Sequence, residues 1–457
     1  MRVLMFGWEF PPHISGGLGT ACYGLTRGLS FRDVEIVFVV PKAYGDEDQS
    51  AVSLVGASQV PVKQRTYHFF NDIKESSLPG FQKSTQDMTY IEVGSHMMPY
   101  LSPEEFEIFI QEKIDQKDFR WQKFMDKERR GEWTEDEIIG KIDFSGKYGP
   151  GLLQEVSNYG LVAAEIAQNH EFDLIHAHDW LTYAAGIAAK KVSGKPLVIH
   201  VHATEFDRTG ENVNTLVYAI EKMGMEAADR VITVSNLTRN TVIHKYGISP
   251  EKVYTVYNAV EPKTTVDKEE YKKSVDEKVV TFLGRITFQK GPEYFIEAAK
   301  MVLQKTDNVR FVMAGSGDLL RKMIRYAARL GISDKFHFTD FLKGKDVDRM
   351  FALSDVYVMP SVSEPFGISP LEAMRSNVPV IISKQSGVSE ILKHAVKTDF
   401  WDVNAMADAI YGLIKYPALS EMFRKYGKEE VDSLKWENAA VHIRDVYASA
   451  LGQTVNE

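Results

Sequence analysis

Two basic residues and two glycines in the second half of the chain have the types and spacing of a phosphate-binding site. Arg285 and Lys290 lie on one loop, GRITFQKG (Gly284–Gly291), which follows an apolar strand pattern and leads into a predicted helix. A guanidinium fork and an ammonium group beside a helix N-terminus suit a diphosphate, although two ordinary surface cations would give the same pattern. Gly315 and Gly317, in AGSG at the end of another predicted strand, would let backbone N–H groups approach a ligand closely.

A pair of acids lies further along the chain, in SEPFGISPLEAM. Glu364 and Glu372 are separated by seven residues. Ser369, Pro370 and Glu372 match the N-cap, N1 and N3 positions of a capping box, so Glu372 is predicted to cap its own helix. Glu364 precedes that helix and has no capping role, and Gly367 lets the backbone pass close to a ligand. We therefore expect Glu364 to face a ligand at the start of this helix.

An alternation of apolar strands and helices positions these loops. The predicted strands of the first half are 2–6, 34–42, 172–178, 196–203, 230–235 and 252–260, and those of the second half are 279–285, 309–317, 335–341, 355–361 and 379–383. This rhythm predicts an α/β protein of two doubly wound Rossmann-like domains, residues 1–260 and 261–435, facing a central cleft. The charged stretch 261–276 is predicted to be a linker. Ligands bind at the carboxyl ends of strands in such sheets, where the loops above lie.

Composition limits the classes of function. The chain has 457 residues, 44% hydrophobic and 26% charged, with a net charge of −9, so we expect no nucleic-acid partner. The single cysteine, Cys22, excludes an intrachain disulfide. No apolar stretch approaches the length that spans a bilayer, and we expect a cytoplasmic protein without membrane association. The charged helical pattern at 102–133 is interpreted as a solvated insertion, with a membrane-surface helix as the alternative.

Two kinds of cofactor site are not supported by the motifs. Neither half carries a full G-x-G-x-x-G after its first strand, which counts against a dehydrogenase. The two D-x-D strings, Asp46–Asp48 and Asp346–Asp348, lie in polar loop or helix-start contexts, and we interpret them as surface residues. The sequence therefore predicts no cofactor and no required metal.

The order of the motifs resembles a known enzyme family. EPFGISPLEA, with Glu364 and Glu372, resembles the E-x7-E signature of retaining glycosyltransferases with the GT-B fold, and GRITFQKG resembles their Arg/Lys diphosphate clamp. The early SGGLGTA and HAHDW (His176–Trp180) are similar to glycogen and starch synthases, and VIHVHATEFDR is similar to the wider family 4 glycosyltransferases. KWENAA is similar to the start of the family's C-terminal helix, here 436–457, which returns to the first domain.

The resemblance implies a role for each matching residue. Arg285 and Lys290 would bind the donor diphosphate and stabilise it as it leaves. Glu372 would accept from the ribose hydroxyls, and Glu364 would contact the transferred sugar. His202 would contact that sugar from the N-terminal domain, so domain closure is expected to bring it to the clamp.

The remaining implied contacts lie mainly on loops. Gly16 and Gly17 would let the first loop approach the phosphates, and Asp179 would lie near the acceptor. Together with these, the resemblance assigns substrate binding to Glu205, Arg208, Gly315, Gly317, Phe366, Gly367, Ile368 and Glu372. His176 and His200 lie on or beside strands and are interpreted as packing residues in the core.

The resemblance implies a nucleotide-sugar-dependent hexosyltransferase that is similar to glycogen synthase, retains configuration and moves glucose to an α-glucan. Bacterial glycogen synthases carry a lysine where this chain has Ile14, so the donor stays open among ADP-, UDP- and GDP-sugars. A family 4 transferase with a small or lipid-linked carbohydrate acceptor is the first alternative. A nucleotide-sugar epimerase, a glycoside hydrolase with paired carboxylates and a non-catalytic binding protein are the alternatives of other classes.

Overall fold

The computed structural model describes residues 1–14, 16–63, 130, 138–149, 151–260 and 276–453. Apart from Arg130, the predicted helical insertion at 102–133 lies outside the described residues, as do Ser15 and nearly all of the predicted linker. The chain forms two compact units. The first contains Met1–Val201, Thr215–Ile232 and Ile443–Glu457, and the second contains His202–Asn214 and Thr233–His442.

The helices and strands are as follows. The strands are β1 (Arg2–Phe6), β2 (Glu35–Val40), β3 (Ser53–Gly56), β4 (Pro61–Lys63), β5 (Ile138–Lys141), β6 (Leu174–His178), β7 (Leu197–Val201), β8 (Arg230–Thr233), β9 (Val253–Thr255), β10 (Lys278–Leu283), β11 (Val309–Ala314), β12 (Phe336–Thr339), β13 (Val356–Met359), β14 (Val380–Ser383) and β15 (Val396–Thr398). The α-helices are α1 (Gly17–Ser30), α2 (Leu152–Asn169), α3 (Trp180–Ser193), α4 (Glu205–Thr209), α5 (Thr215–Ala227), α6 (Asn236–Tyr246), α7 (Pro292–Leu303), α8 (Leu320–Arg329), α9 (Lys345–Leu353), α10 (Ser369–Arg375), α11 (Val403–Lys415), α12 (Pro417–Ser433) and α13 (Trp436–Ala450).

The first unit is built on a sheet with the strand order β3-β2-β1-β6-β7-β8. Strand β1 is parallel to both of its neighbours, β2 and β6. Its residues Val3–Phe6 are fully buried, as expected for a strand that is covered on both faces. The short strands β4 and β5 form a separate antiparallel ladder.

The second unit repeats this arrangement with the order β12-β11-β10-β13-β14-β15, and every neighbouring pair is parallel. One apolar cluster includes Phe295 and Phe311, and another includes Leu371 and Val380. The predicted α/β class with parallel sheets is therefore confirmed. In both units the strand order reverses beside the first strand, and the loops that follow the two strands at this switch point are where doubly wound sheets bind ligands.

The units divide the chain differently from the predicted domains. Segment 202–214 groups with the second unit, whereas we expected it in the N-terminal domain. The second half of α13 groups with the first unit, where the Tyr447 hydroxyl lies 2.6 Å from Nδ1 of His176. Among the described residues, none of the helices combines the length and the apolar character that a membrane crossing requires.

Candidate active site

The switch point of the second unit joins the basic loop to the acidic loop. The basic loop follows β10 and the acidic loop follows β13, which are neighbours in the sheet. Lys290 Nζ forms an ion pair with Glu364 Oε2. Glu364 is only 7% exposed, and the Ser361 hydroxyl lies 3.4 Å from the same carboxylate oxygen. A partly buried ammonium group thus binds a buried carboxylate at the carboxyl ends of β10 and β13.

Backbone contacts fix the position of Glu364. Its N–H donates to the Gln385 carbonyl at 3.0 Å, and its carbonyl accepts from the Gly387 N–H at 2.9 Å. The next carbonyl, that of Pro365, accepts from the Ser235 hydroxyl at 2.5 Å. A Cβ at Gly387 would lie 2.1 Å from the Pro365 oxygen, so this crossing of two loops requires glycine. The acid is therefore presented by a rigid segment.

Arg285 differs from Lys290 in being exposed. Its guanidinium makes a long contact, 3.5 Å, with Oε1 of the buried Gln289. Gly291 ends the basic loop with φ of +63°, and a Cβ there would lie 2.1 Å from the Pro360 oxygen. Helix α7 begins at the next residue. Two cations and a helix N-terminus therefore belong to one short loop, which is an arrangement that suits phosphate.

The glycines after β11 are needed by the chain itself. Gly315 has φ of +137°, and a Cβ there would lie 1.9 Å from the Gly284 oxygen. A Cβ at Gly317 would lie 2.3 Å from the Ile286 oxygen. These contacts pack the glycine loop directly against the basic loop. They explain both glycines without a ligand, and their predicted contact with phosphate stays a prediction.

The predicted capping box is wrong. Helix α10 begins at Ser369, its N-cap is Ile368, and no side chain forms a capping hydrogen bond. The helix starts one residue earlier than the motif requires, so Glu372 lies beyond the N3 position. Burial raises the pKa of Tyr357, and the charges of Glu364 and then Glu372 add to this shift. Both acids therefore act electrostatically on the same phenol.

Phe366, Gly367 and Ile368 connect the two acids. Phe366 is buried in an apolar cluster, and its carbonyl accepts from the Val388 N–H at 2.8 Å. Gly367 has φ of +102°, a region that strongly favours glycine. Ile368 is partly buried against the same cluster. Packing accounts for the side chains of Phe366 and Ile368, so any contact with substrate would come from the backbone here.

The segment that carries His202 groups with the clamp in the second compact unit. The expected domain closure stays a prediction. Burial lowers the pKa of His202 to about 3, which makes its imidazole neutral at ordinary pH. Glu205 is buried and forms an ion pair with Arg208 at 3.2 Å. Glu205 also accepts from the Asn214 N–H at 3.1 Å. These bonds give the predicted substrate-binding pair a structural role within its own segment.

In the first unit, the loops after β1 and β6 occupy the switch point. Gly16 and Gly17 begin α1, and a Cβ at either position would meet no atom within 4 Å. Asp179 follows β6, is buried, and has φ of +61°, a strained value for a residue with a side chain. Its N–H donates to the His200 carbonyl at 2.9 Å. Strain of this kind at the end of a switch-point strand is typical of functional sites.

A histidine cluster lies in the core of the first unit. His176, His178 and His200 are each at most 2% exposed. The rings of His176 and His200 are nearly parallel, with an interplanar angle of 8° and centroids 5.4 Å apart. The burial agrees with the interpretation of His176 and His200 as packing residues.

Three of the four acids of the two D-x-D strings are exposed, as predicted, and the fourth, Asp348, is half-buried. The side chain of Asp46 is 60% exposed and lies 2.6 Å from His13. Asp48 is exposed and accepts from the Tyr23 hydroxyl at 2.6 Å. Asp346 is exposed in the first turn of α9. The absence of a metal requirement stays a prediction.

Sequence reasoning missed the groups that hold the acidic loop. Ser235 is 130 residues from the Pro365 carbonyl that it contacts, and Asp207 is 156 residues from Ser363. No local spacing connects residues so far apart. Gly387 is the exception, because a glycine after the strand next to β13 is a visible signal of close backbone approach.

Comparisons with known proteins agree with this geometry. Residues 263–430 match the family model described as "Glycosyl transferases group 1", and residues 132–264 match "Glycosyltransferase Family 4". An uncharacterized glycosyltransferase of Methanocaldococcus jannaschii is 27% identical over an alignment of 469 positions, which covers 99% of each chain.

Two solved structures show the same fold. Sucrose-phosphate synthase from Thermosynechococcus elongatus has a TM-score of 0.64 at 15% identity, over 99% of each chain. HepE from Anabaena, in complex with UDP-glucose, has a TM-score of 0.60 at 16% identity, over 98% of this chain and all of that one. The two family matches meet between the halves of the chain, and the switch point of the second unit carries both the basic and the acidic loop. The protein belongs to the family 4 glycosyltransferases of the GT-B fold and is a nucleotide-sugar-dependent transferase.

Proposed function

We propose that the protein is a retaining glucosyltransferase that moves glucose from a nucleotide diphosphate sugar to an α-glucan. The observation that carries the proposal is the Lys290–Glu364 ion pair at the switch point of the second unit. In this proposal the ammonium group of Lys290 can leave Glu364 and bind the donor diphosphate, and the buried carboxylate of Glu364 can then bind the transferred sugar. Arg285, exposed on the same loop as Lys290, supplies the second cation.

Catalysis in this proposal depends on stabilising the leaving group. As the bond from the sugar to the diphosphate breaks, negative charge grows on the phosphate oxygens. Lys290 exchanges Glu364 for a phosphate oxygen, and Arg285 binds a second one. The N-terminus of α7 adds its partial positive charge. Fixed positive charge aimed at a developing anion is usually the largest electrostatic contribution to such a step.

The acids and His202 act on the sugar and the nucleoside. Glu364, released by Lys290, accepts hydrogen bonds from hydroxyls of the transferred glucose, and Glu372 accepts from the ribose. His202 has a pKa of about 3, so it serves as a neutral hydrogen-bonding group. Retention follows from departure and attack on the same face of the sugar, with the leaving phosphate oxygen taking the proton of the acceptor hydroxyl.

Charge neutralisation by Lys290 and Arg285 makes a metal unnecessary in this scheme. The enzyme is proposed to need no cofactor, because the nucleotide sugar is itself a substrate. We further propose that it works in the cytoplasm, where nucleotide sugars are available.

A donor screen tests the proposal. The protein is incubated with ADP-, UDP- and GDP-glucose, with and without glycogen, and in the presence of EDTA. We expect release of one nucleoside diphosphate that increases with glycogen and persists in EDTA, and an α-configured product. Failure to turn over any of the sugars refutes glucosyl transfer, and loss of activity in EDTA refutes the metal-free clamp.

The identity of the donor depends on Ile14. Its side chain packs near α1, where a Cβ at Gly19 would lie 2.4 Å from Ile14 Cγ2. An apolar side chain here supplies no charge for an ADP-glucose diphosphate, and the structural neighbour HepE was solved with UDP-glucose. UDP-glucose is therefore the donor that we propose to test first.

A small or lipid-linked carbohydrate acceptor is the second candidate. It is favoured by the structural likeness to sucrose-phosphate synthase, whose name denotes a small product. Transfer to a sugar phosphate or a lipid-linked sugar, with none to glycogen, would select it. Membership in the transferase family leaves the hydrolase and epimerase alternatives without support.

A further inference from the structure

The carboxylate of Asp207 joins two segments of the second unit that are distant in sequence. One oxygen, Oδ2, accepts from the Thr204 N–H at 2.7 Å and from the Thr204 hydroxyl at 2.8 Å. The other, Oδ1, accepts from the Ser363 hydroxyl at 2.6 Å. Asp207 is 6% exposed, so water competes little for these bonds.

Both ends of this contact adjoin residues of the proposed reaction. Thr204 lies two residues after His202, and Asp207 lies between Glu205 and Arg208 on the short helix α4. Ser363 immediately precedes Glu364. A helix-capping acid ordinarily needs only the local bonds to its N-cap residue. The bond to Ser363 is additional, and it attaches the helix to the acidic loop.

We propose that Asp207 is a positioning residue that holds the His202 segment against the Glu364 loop through Ser363. This inference rests on the proposed function, because it concerns the geometry of the transferred sugar. Neither Asp207 nor Ser363 touches the substrate in this scheme. Their bond fixes the distance between the segments of His202 and Glu364, which do contact the sugar. It thereby makes His202 part of the donor-binding unit.

The bond should affect turnover more than diphosphate binding. Arg285 and Lys290 lie on a different loop, after β10, and do not depend on Ser363. Loss of the Ser363 hydroxyl leaves Oδ1 of Asp207 without this donor in a buried place, which loosens the attachment of α4. A misplacement of sugar-binding groups by a fraction of an ångström lowers the rate of the chemical step.

The test compares three variants of the full chain. Ser363→Ala removes the hydroxyl, Ser363→Thr keeps it, and Ser389→Ala is the matched control. Ser389 is a partly buried serine of the same unit, and its hydroxyl donates to the carbonyls of Lys384 and Ser386. For each we would measure kcat, KM for the donor selected by the screen, affinity for the free nucleoside diphosphate, and hydrogen exchange of amides 203–209.

We expect Ser363→Ala to lower kcat about tenfold, which corresponds to about 1.4 kcal/mol, with unchanged diphosphate affinity and faster exchange at 203–209. Ser363→Thr should keep kcat and the exchange at 203–209 at their wild-type values, and Ser389→Ala should change neither kcat nor this exchange. Unchanged exchange in Ser363→Ala overturns the inference whatever the activity. A kcat loss that Ser363→Thr does not rescue, or one matched by an equal loss of diphosphate affinity, also overturns it. If the wild-type chain turns over no nucleotide sugar but Ser363→Ala still accelerates exchange, the proposed function fails while the attachment stands.

Discussion

The two units share a strand order, but one pair of glycines in each unit has very different surroundings. In the second unit, a Cβ at Gly315 or Gly317 would lie about 2 Å from a carbonyl oxygen of the basic loop, at 1.9 Å and 2.3 Å respectively. In the first unit, a Cβ at Gly16 or Gly17 would meet nothing within 4 Å. Gly315 and Gly317 are required by the chain's own packing, whereas Gly16 and Gly17 border open space.

This difference separates glycines that build a site from glycines that leave room for a ligand. The second unit also pairs its own charges, since Lys290 already holds Glu364. The first unit instead places a strained acid, Asp179, at the corresponding strand end. One topology thus supports a preassembled loop cluster in the second unit and an open, helix-starting loop in the first. Mutations at matched positions can test whether this contrast is functional.

The largest effect is expected from Lys290→Ala. The variant removes the cation that exchanges Glu364 for phosphate, so kcat/KM should fall by about 100- to 1000-fold, as for other groups that stabilise a developing anion. Affinity for the nucleoside diphosphate should fall as well, measured by calorimetry. Lys300→Ala is the control, because Lys300 lies on the following helix and donates to the Leu330 carbonyl. Unchanged diphosphate affinity in Lys290→Ala would contradict the clamp.

Replacement of the glycines tests the comparison directly. Gly315→Ala should destabilise the protein by about 3 kcal/mol, because the methyl group meets backbone and the positive φ is unfavourable for alanine. Gly16→Ala should change stability by less than about 0.5 kcal/mol yet raise KM for the donor, if the first loop borders the phosphates. Urea unfolding and steady-state kinetics measure the two quantities. Equal losses of stability in both variants would remove the distinction between the two kinds of glycine.

Substitutions of Glu364 and Glu372 should have different kinetic effects, one mainly on kcat and the other mainly on KM. Glu364→Gln keeps the shape of a group that contacts the transferred sugar but removes its charge, so we expect kcat to fall at least about tenfold, a change of about 1.4 kcal/mol in the barrier. Glu372→Gln weakens a ribose contact that is made throughout the reaction, so KM should rise with little change in kcat. Steady-state kinetics with varied donor measure both. The reverse pattern would exchange the roles assigned to the two residues.

The sequence predicted elements whose signals are local. Continuous apolar strands such as Val34–Val40, and loops with glycine or paired charges such as Gly284–Gly291, identified the parallel sheets and the segments at their carboxyl ends. Local spacing could not show that Lys290 pairs with Glu364, since 74 residues separate them. It also misplaced the start of α10, whose N-cap is Ile368 and not Ser369.

The grouping of His202 with the second unit was equally invisible to local patterns. His202 follows β7 directly, and a chain-order division assigns it to the first domain. Contacts made by residues downstream, such as Asp207 with Ser363, place the segment elsewhere. Such contacts depend on side chains meeting across more than 100 residues, and they become visible only in the folded chain.

The smallest predicted effect concerns the titration of His202. Burial lowers the pKa of His202 in the folded protein to about 3, whereas the unfolded chain takes up a proton near pH 6.5. Between these values the unfolded state binds more protons, so stability falls as pH is lowered. Over the step from pH 7 to 6 the loss from this residue should be at most about 0.7 kcal/mol. Urea unfolding at the two pH values should show a smaller pH-dependent loss in His202→Gln than in the wild type, and the wild-type loss in His337→Gln, a control at an exposed position. If His202→Gln and the wild type lose the same stability, desolvation does not hold the His202 imidazole neutral in the folded protein.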